Sequence, residues 1–238
     1  MRTIIWFSYF ILYLVCIFPK TKRVEAMLKH GEQEKSALII QSTVQTWASN
    51  LLKAAGVHVT VSGKENLPDE PALFVSNHQG NFDIPILLCK LGPLMPIVAK
   101  KELKKLPIIR TWMNFFNCIF MDRKDPRQSL QCLKRAQELL EQGQSLIIFP
   151  EGTRSKSSSV GEFKPGSLRC ALKSGVPIVP IAIQGSYLVM EAHGFWIHPA
   201  EVHVTILPPV STKNLTKERT KLISEEIQKS ISDIVQAK

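Results

Sequence analysis

The chain lacks paired cysteines. Its five cysteines are scattered at positions 16, 89, 118, 132 and 170, with no Cys-x-x-Cys spacing and no Cys/His ligand group. Structural zinc sites and thiol redox motifs depend on such spacings, so neither is expected. An odd number of unpatterned cysteines is typical of reduced thiols in the cytosol.

The chain also lacks the glycine and serine motifs of several enzyme classes. Its 12 glycines form neither Gly-x-x-x-x-Gly-Lys-[Ser/Thr] nor Gly-x-Gly-x-x-Gly, so the common nucleotide-binding loops are not indicated. A Gly-x-Ser-x-Gly elbow is absent as well, and no serine or cysteine is arranged as an evident nucleophile. The usual signature of a covalent acyl-enzyme is therefore missing.

Acidic residues are outnumbered. Thirty Lys and Arg against 20 Asp and Glu give a net charge of +10, which favours nucleic acid, an anionic membrane surface or an acidic substrate as partner. A basic surface kept for solubility is the alternative. The basic residues are dispersed and no helix-turn-helix, RNP or zinc-finger pattern occurs, so we predict that nucleic acid is not a partner. The length fits one folded domain with an appendage.

The one long hydrophobic run, residues 4–18, is short for a membrane span. As a helix it would extend about 22 Å, less than the ~30 Å hydrocarbon core. It could be a signal peptide, a buried core helix or a membrane anchor. Three cations, within residues 20–23, lie between the apolar run and a passable cleavage site at residues 24–26, which argues against a signal peptide. The aromatic content and basic flank favour an anchor that keeps the remaining chain on the cytoplasmic side.

After this run the pattern alternates between strand and helix. Residues 36–55 form an amphipathic helix that faces either the membrane or the core, and Gly56 ends it. Strands are predicted over residues 57–61, 72–76, 96–99, 118–121, 146–149, 178–183 and 202–207, and helices over 82–91, 103–116, 129–142, 167–174 and 216–236. Pro107 is a candidate interruption of the helix over residues 103–116. This order predicts an α/β fold, with a mostly parallel central sheet flanked by helices and preceded by N-terminal membrane-associated helices. We divide the chain into an anchor (1–23), an amphipathic helical segment (24–56) and an α/β domain (57–238).

A polar segment, Asn-His-Gln-Gly-Asn-Phe-Asp at residues 77–83, follows one predicted buried strand. Five residues of helix turn through about 500°, so His78 and Asp83 can meet only if the chain turns between them. Gln-Gly-Asn between them is turn chemistry. Two interpretations follow. In the first, His78 hydrogen-bonds to backbone groups of the loop while Asp83 caps a helix; in the second, Asp83 orients His78 as a general base. Because the chain has no nucleophile elbow, a general-base role for His78 predicts that a substrate hydroxyl attacks directly, without an acyl-enzyme.

A second segment, Phe-Pro-Glu-Gly-Thr-Arg-Ser at residues 149–155, follows another predicted strand. Gly152 permits a positive φ or a close approach, Thr153 can donate to an anion, and Arg154 can clamp a phosphate. The alternative is a Glu151–Arg154 ion pair that stitches the turn.

Further cations fall at or near predicted strand ends: Lys100, Lys101, Arg123 and Lys164. Each alone is an ordinary surface charge, whereas several on one rim of a sheet would attract an anion.

Together these segments resemble the 1-acylglycerol-3-phosphate acyltransferase family, the lysophosphatidate acyltransferases of phospholipid synthesis. Four blocks of the family occur in order, at residues 77–83, at 100–103 with Pro107 and 120–123, at 149–155, and at 163–166 with 176–180. One departure is that the second block usually carries glycines where this chain has Arg110 and Asn117. The resemblance therefore does not extend to the local backbone or the acyl-chain path at these two positions, and it is unaffected at His78 and Asp83.

The resemblance implies acyl transfer from an acyl thioester, acyl-CoA or acyl carrier protein, to the sn-2 hydroxyl of lysophosphatidate, giving phosphatidate. His78 would be the base and Asp83 would orient it. It implies no cofactor beyond that co-substrate, no metal, and a site on the cytoplasmic face of the cell membrane. The substrate-binding set predicted from the resemblance and the sequence is Lys100, Arg123, Glu151, Gly152, Thr153, Arg154 and Lys164.

Two alternatives stay open at this point. The acceptor could be glycerol-3-phosphate or another lysophospholipid, since the same cations would serve each phosphate. The chain could also be a non-catalytic membrane adaptor that binds anionic lipid, although an intact set of His78, Asp83 and Arg154 argues against that.

Overall fold

The computed structural model describes residues 1–164 and 166–237, so Pro165 of the fourth sequence block lies outside the described residues. The helices are α1 (Arg2–Cys16), α2 (Phe18–Lys29), α3 (Gln33–Ala55), α4 (Asp83–Lys90), α5 (Pro107–Phe115), α6 (Pro126–Glu141), α7 (Arg169–Ser174) and α8 (Lys217–Gln236). The strands are β1 (Val57–Ser62), β2 (Leu73–Ser76), β3 (Val98–Lys100), β4 (Ile119–Met121), β5 (Leu146–Ile148), β6 (Ile178–Gln184) and β7 (Ala200–Ile206).

The central sheet has the strand order β1-β7-β6-β2-β5. Its pairs are parallel except for β6 and β7, which run antiparallel because the chain reverses through short 3-10 turns between them. Strands β3 and β4 form a second parallel pair, joined to the main sheet by a bridge between Ile97 and Ile147. The predicted α/β class is confirmed, and the sheet is mixed.

Helices cover both faces of the sheet. Successive side chains of a strand point to opposite faces, so β2 serves two cores. Phe74 faces a core built with α1 to α5, while Leu73 and Val75 face a second core built with α6 to α8. All four residues of β2 are buried, which explains the continuous apolar run at residues 72–75.

The amino-terminal helices pack against the first core. Trp6 of α1 donates its indole N–H to the carbonyl of Leu51 in α3 (3.0 Å), and its ring lies 5.4 Å from that of Phe82. The chain bends by 40° where α1 meets α2. Among the described residues no single helix has the length and apolar composition to cross a membrane, and the bent α1–α2 pair meets those criteria only when both helices are taken together.

Candidate active site

The two polar segments meet at one edge of the sheet. They follow β2 and β5, which are parallel neighbours, so both segments leave the sheet at the carboxyl end of their strands. Two backbone hydrogen bonds join them: Ser155 N–H to the carbonyl of His78 (2.8 Å) and Lys156 N–H to the carbonyl of Gln79 (3.1 Å). The proximity expected from the strand order is therefore present.

Buried side chains fix the backbone of both segments. Asn77 exchanges two hydrogen bonds with Ile183, at 2.9 and 2.8 Å, and so extends the pairing of β2 with β6. The Glu151 carboxylate, 3% exposed, accepts from the N–H of His78 (2.7 Å) and of Gly161 (2.8 Å). Burial raises the pKa of Glu151, and the two backbone donors oppose that rise. The Glu151 carboxylate thus binds backbone amides of its own chain, whereas the sequence analysis predicted that it contacts the substrate.

His78 and Asp83 form a hydrogen-bonded dyad. Helix α4 begins at Asp83, and the turn before it brings His78 Nδ1 to 2.7 Å from Asp83 Oδ2. The carboxylate is fully buried and also accepts from Gly80 N–H (2.9 Å) and from the Ser186 hydroxyl. Because a carboxylate can only accept, His78 carries its proton on Nδ1, which leaves the Nε2 lone pair free to take another.

The imidazole is held in place by more than Asp83. Its ring stacks on the ring of Phe149 with centroids 4.2 Å apart, and the side chain stays 13% exposed. A fixed and partly accessible imidazole with a free Nε2 is the arrangement that a general base requires.

Ser186 is a member of the site that the sequence did not reveal. It opens the 3-10 turn Ser186–Val189 after β6, and its buried hydroxyl donates to Asp83 from 103 residues away. Gln79 Oε1 lies 3.3 Å from the same hydroxyl. No local pattern distinguishes this serine, because its role depends on where β6 ends beside α4.

Glu191 is a second residue that the sequence analysis missed. Arg154 Nη1 donates to Glu191 Oε1 (2.9 Å), and the N–H of Asn81 donates to the same oxygen (2.8 Å). The Glu191 side chain is 4% exposed, whereas that of Arg154 is 34% exposed. The alternative of a Glu151–Arg154 pair is therefore wrong: Arg154 is oriented by Glu191, and its outer N–H groups remain available to an anion.

Glu191 also sets a size limit on the histidine loop. A Cβ added at Gly80 would clash with Glu191 Oε2 unless that carboxylate moved. A larger residue at this position of the His78 loop would therefore displace the carboxylate that holds Arg154. This contact links the proposed base to the cation through one side chain.

Three predicted substrate-binding residues converge on the turn at Gly152. This glycine has φ of +71°, and a Cβ added there would lie 3.5 Å from Lys164 Cε and 3.8 Å from Arg123 Cδ. Thr153 is exposed on the same turn. The side chains of two cationic residues thus pack beside the turn that leads to Arg154, and neighbouring cations favour an anion.

The remaining predicted cations lie at the end of β3. Lys100 Nζ is 3.7 Å from Glu102 Oε2, and both side chains are exposed. Lys101 forms an ion pair with Asp122, so its charge is already matched. Lys101 thus has a local structural partner, whereas Lys100 is exposed to solvent beside Glu102.

An apolar cavity of about 250 Å³ lies on the same face of the sheet as the dyad. Asn81 and Ile84, from the turn and helix that carry Asp83, form part of its wall. Apart from Thr43, the rest is apolar or aromatic and comes mainly from α1, α3, α4 and α5, including Phe10, Tyr13, Val44, Trp47, Leu88, Ile109, Trp112, Met113 and Phe116. Such a lining suits a hydrocarbon chain.

Known proteins share both the sequence and the architecture. A family model described as Acyltransferase matches residues 58–184. A probable 1-acyl-sn-glycerol-3-phosphate acyltransferase of Mycoplasma pneumoniae is 36% identical over 188 residues, which cover 77% of this chain and 69% of that protein. The chloroplastic 1-acyl-sn-glycerol-3-phosphate acyltransferase of Arabidopsis thaliana is 41% identical over 156 residues, covering 64% of this chain and only 43% of the plant protein. The chain thus spans less than half the length of that plant relative.

The architecture matches a crystal structure over the whole chain. The structure of PlsC, the 1-acyl-sn-glycerophosphate acyltransferase of Thermotoga maritima, aligns with a TM-score of 0.84 and 27% identity. The alignment covers 100% of this chain and 96% of the Thermotoga chain, so the amino-terminal helices have counterparts there as well.

Proposed function

The chain belongs to the Acyltransferase family, and from this premise we propose that it transfers an acyl group from a thioester to the sn-2 hydroxyl of a 1-acylglycerol-3-phosphate. The observation that carries this proposal is the His78–Asp83 dyad, whose loop is hydrogen-bonded to the segment that carries Arg154 and whose neighbours Asn81 and Ile84 line an apolar cavity. Relatives named as 1-acyl-sn-glycerol-3-phosphate acyltransferases support the choice of acceptor.

In the proposed reaction His78 Nε2 takes the proton of the acceptor hydroxyl as the hydroxyl oxygen attacks the thioester carbonyl. The imidazolium that forms is stabilised by the buried Asp83 carboxylate 2.7 Å from Nδ1. When the carbon–sulfur bond breaks, the imidazolium returns its proton to the departing thiolate. An ester and a thiol are produced, and His78 is regenerated neutral.

The acceptor phosphate would bind at the cationic turn. Arg154 has N–H groups to spare beyond the one that Glu191 accepts, and Lys164 and Arg123 lie over Gly152. The guanidinium of Arg154, with the cationic side chains of Lys164 and Arg123 packed beside the same segment, suits a phosphate dianion. Thr153 and Lys100 complete the proposed set, while Glu151 positions the loop from behind.

The acyl chain would occupy the apolar cavity. Its wall includes residues of the turn that carries the dyad, so a chain inserted there would bring its carbonyl end towards His78. Cavity length then limits which chains fit. The donor is an acyl thioester of coenzyme A or of acyl carrier protein, and the proposal needs no other cofactor.

We also propose that the protein works at the cytoplasmic face of the cell membrane. Helix α1 exposes an apolar stripe of Ile4, Ile11 and Val15 beside its buried face, and α2 exposes Lys20 and Lys22. Apolar side chains next to cations are typical of a helix that binds an anionic membrane surface.

A comparison of acceptors tests the proposed function. The purified full chain is incubated with acyl-CoA or acyl carrier protein thioester and with lysophosphatidate, glycerol-3-phosphate or lysophosphatidylcholine, and the products are measured by mass spectrometry. We expect phosphatidate from lysophosphatidate, with Arg154→Ala raising the acceptor KM about 10-fold or more through loss of a charged hydrogen bond. Binding of acceptor lipid without product from any pair would favour the non-catalytic adaptor instead.

A further inference from the structure

An exposed aromatic pair lies on the segment that follows Glu191. Phe195 is 80% exposed and Trp196 is 62% exposed, which makes them the most exposed aromatic residues in the part of the chain that the structure describes. Gly194, with φ of +67°, and a hydrogen bond from Trp196 N–H to the carbonyl of His193 (3.2 Å) form the turn that presents them. Large apolar side chains exposed together mark an interaction surface.

The base of this turn is firmly attached, so the exposure is not a consequence of a loose chain. Ile197 is buried and donates its N–H to Thr3 Oγ1 (2.9 Å), and His198 donates its N–H to the carbonyl of Val189 (2.9 Å). The rings of His193 and His198 lie 4.0 Å apart across the base. The fold therefore holds two aromatic side chains in water at a fixed position.

The aromatic turn adjoins the exposed side of α1. Thr3, which binds the turn, is followed by Ile4 and Ile5, which are 68% and 59% exposed. The same side of the helix continues through further exposed apolar residues, Ile11, Leu12 and Val15. The aromatic turn and α1 thus form one apolar border on the face of the sheet that holds the dyad.

We infer that Phe195 and Trp196 insert into the lipid bilayer as a second membrane contact, separate from α1. Tryptophan and phenylalanine are favoured at the boundary between headgroups and acyl chains. The exposed cations of α2 and the net charge of +10 match an anionic lipid surface. The inference rests on the proposed function only in taking a membrane lipid as the acceptor.

Insertion at this turn would also place the acceptor site. Glu191, three residues before Gly194, holds Arg154 and the N–H of Asn81. A contact at the aromatic turn therefore sets how far Arg154 lies from the lipid headgroups. With α1 as the one membrane contact, the protein would be free to rotate about the axis of that helix.

Trp196 reports its own insertion in the intact protein. The emission of Trp196→Phe is subtracted from that of the wild type, which removes the signal of the three other tryptophans. On addition of phosphatidylcholine–phosphatidylglycerol vesicles we expect the remaining emission to shift to shorter wavelength and to be quenched by lipids brominated in the acyl chain. Emission that stays unshifted and unquenched while the protein sediments with the vesicles would overturn the inference.

A variant pair measures the strength of the contact. Phe195→Ala/Trp196→Ala should weaken vesicle partitioning by about 10-fold or more, since two large apolar side chains are lost from the interface. Leu130→Ala is the matched control: it removes an exposed apolar side chain from α6, which packs on the opposite face of the sheet, and should leave partitioning unchanged. Equal partitioning of the double variant and wild type, with self-association lost instead, would assign the pair to a contact between copies of the chain and overturn the inference. Because no acyl donor is present, failure of the proposed catalysis would not alter either measurement.

Discussion

Asp83→Asn separates the charge of the dyad from its shape. In the native site Oδ2 accepts from His78 Nδ1 and from Gly80 N–H, while Oδ1 accepts from Ser186. The new carboxamide oxygen can keep the first two hydrogen bonds. Its nitrogen can donate to the Ser186 hydroxyl, whose proton then turns to Gln79 Oε1, 3.3 Å away. The fold should therefore survive, and only the negative charge is lost.

The cost falls on the step that creates the imidazolium. Unit charges about 4 Å apart in a medium of effective dielectric constant near 20 attract by about 4 kcal/mol. Each 1.36 kcal/mol corresponds to about tenfold in rate, so kcat/KM for the acceptor should fall by about 10³-fold. The assay is initial-rate phosphatidate formation, with the urea unfolding midpoint measured on the same samples.

Asp125→Asn is the matched control for Asp83→Asn. Asp125 caps α6 by accepting from the N–H groups of Arg127 and Gln128, and asparagine caps a helix equally well. We expect wild-type kcat/KM and stability from this control. A wild-type rate from Asp83→Asn would refute the role given to the buried carboxylate.

Three further predictions concern the supporting residues. Glu191→Gln should raise the acceptor KM about fivefold with little change in kcat, because a neutral hydrogen bond holds Arg154 less firmly in its phosphate-binding position than the charged one does; acceptor titrations measure this. Glu151→Gln should lower the free energy of unfolding by about 1–3 kcal/mol in urea denaturation. The glutamine NH2 group would face one of the two backbone N–H groups that the carboxylate accepts from, so that donor would lose its acceptor. Burial raises the pKa of Cys118 to about 12, so iodoacetamide at pH near 8 should alkylate the exposed Cys16 in the native protein and reach Cys118 only after unfolding, as mass spectrometry would detect.

Local patterns predicted most of the elements but placed their ends less well. Helix α6 was expected over residues 129–142 and begins at Pro126, because Asp125 supplies a cap just before it. The helix expected over residues 103–116 is a 3-10 turn followed by α5, which starts at Pro107, where the ring removes an N–H donor and fixes φ. Helix α2 was predicted only in part: residues 24–29 fall in the predicted helical segment, whereas the cations at residues 20–23 were assigned to the flank of the anchor.

In the candidate site, too, local contacts could be predicted from the sequence and long-range contacts could not. His78 and Asp83 were paired correctly from the sequence because the turn chemistry between them is local. The partner of Arg154 was not identified from the sequence. The local alternative, Glu151, does not pair with it because the Glu151 carboxylate accepts hydrogen bonds from two backbone N–H groups. Glu191 lies 37 residues from Arg154 and could be identified only once the chain reversal after β6 was known.

The most direct test of the account is the rate of phosphatidate formation by His78→Ala, measured with lysophosphatidate and an acyl thioester. We predict a fall of at least ~10²-fold, the scale of a lost general base, with an unfolding midpoint close to wild type. His58→Ala, which removes an exposed histidine from β1, is the control and should retain full activity. A wild-type rate from His78→Ala would contradict the proposal that this imidazole activates the acceptor hydroxyl.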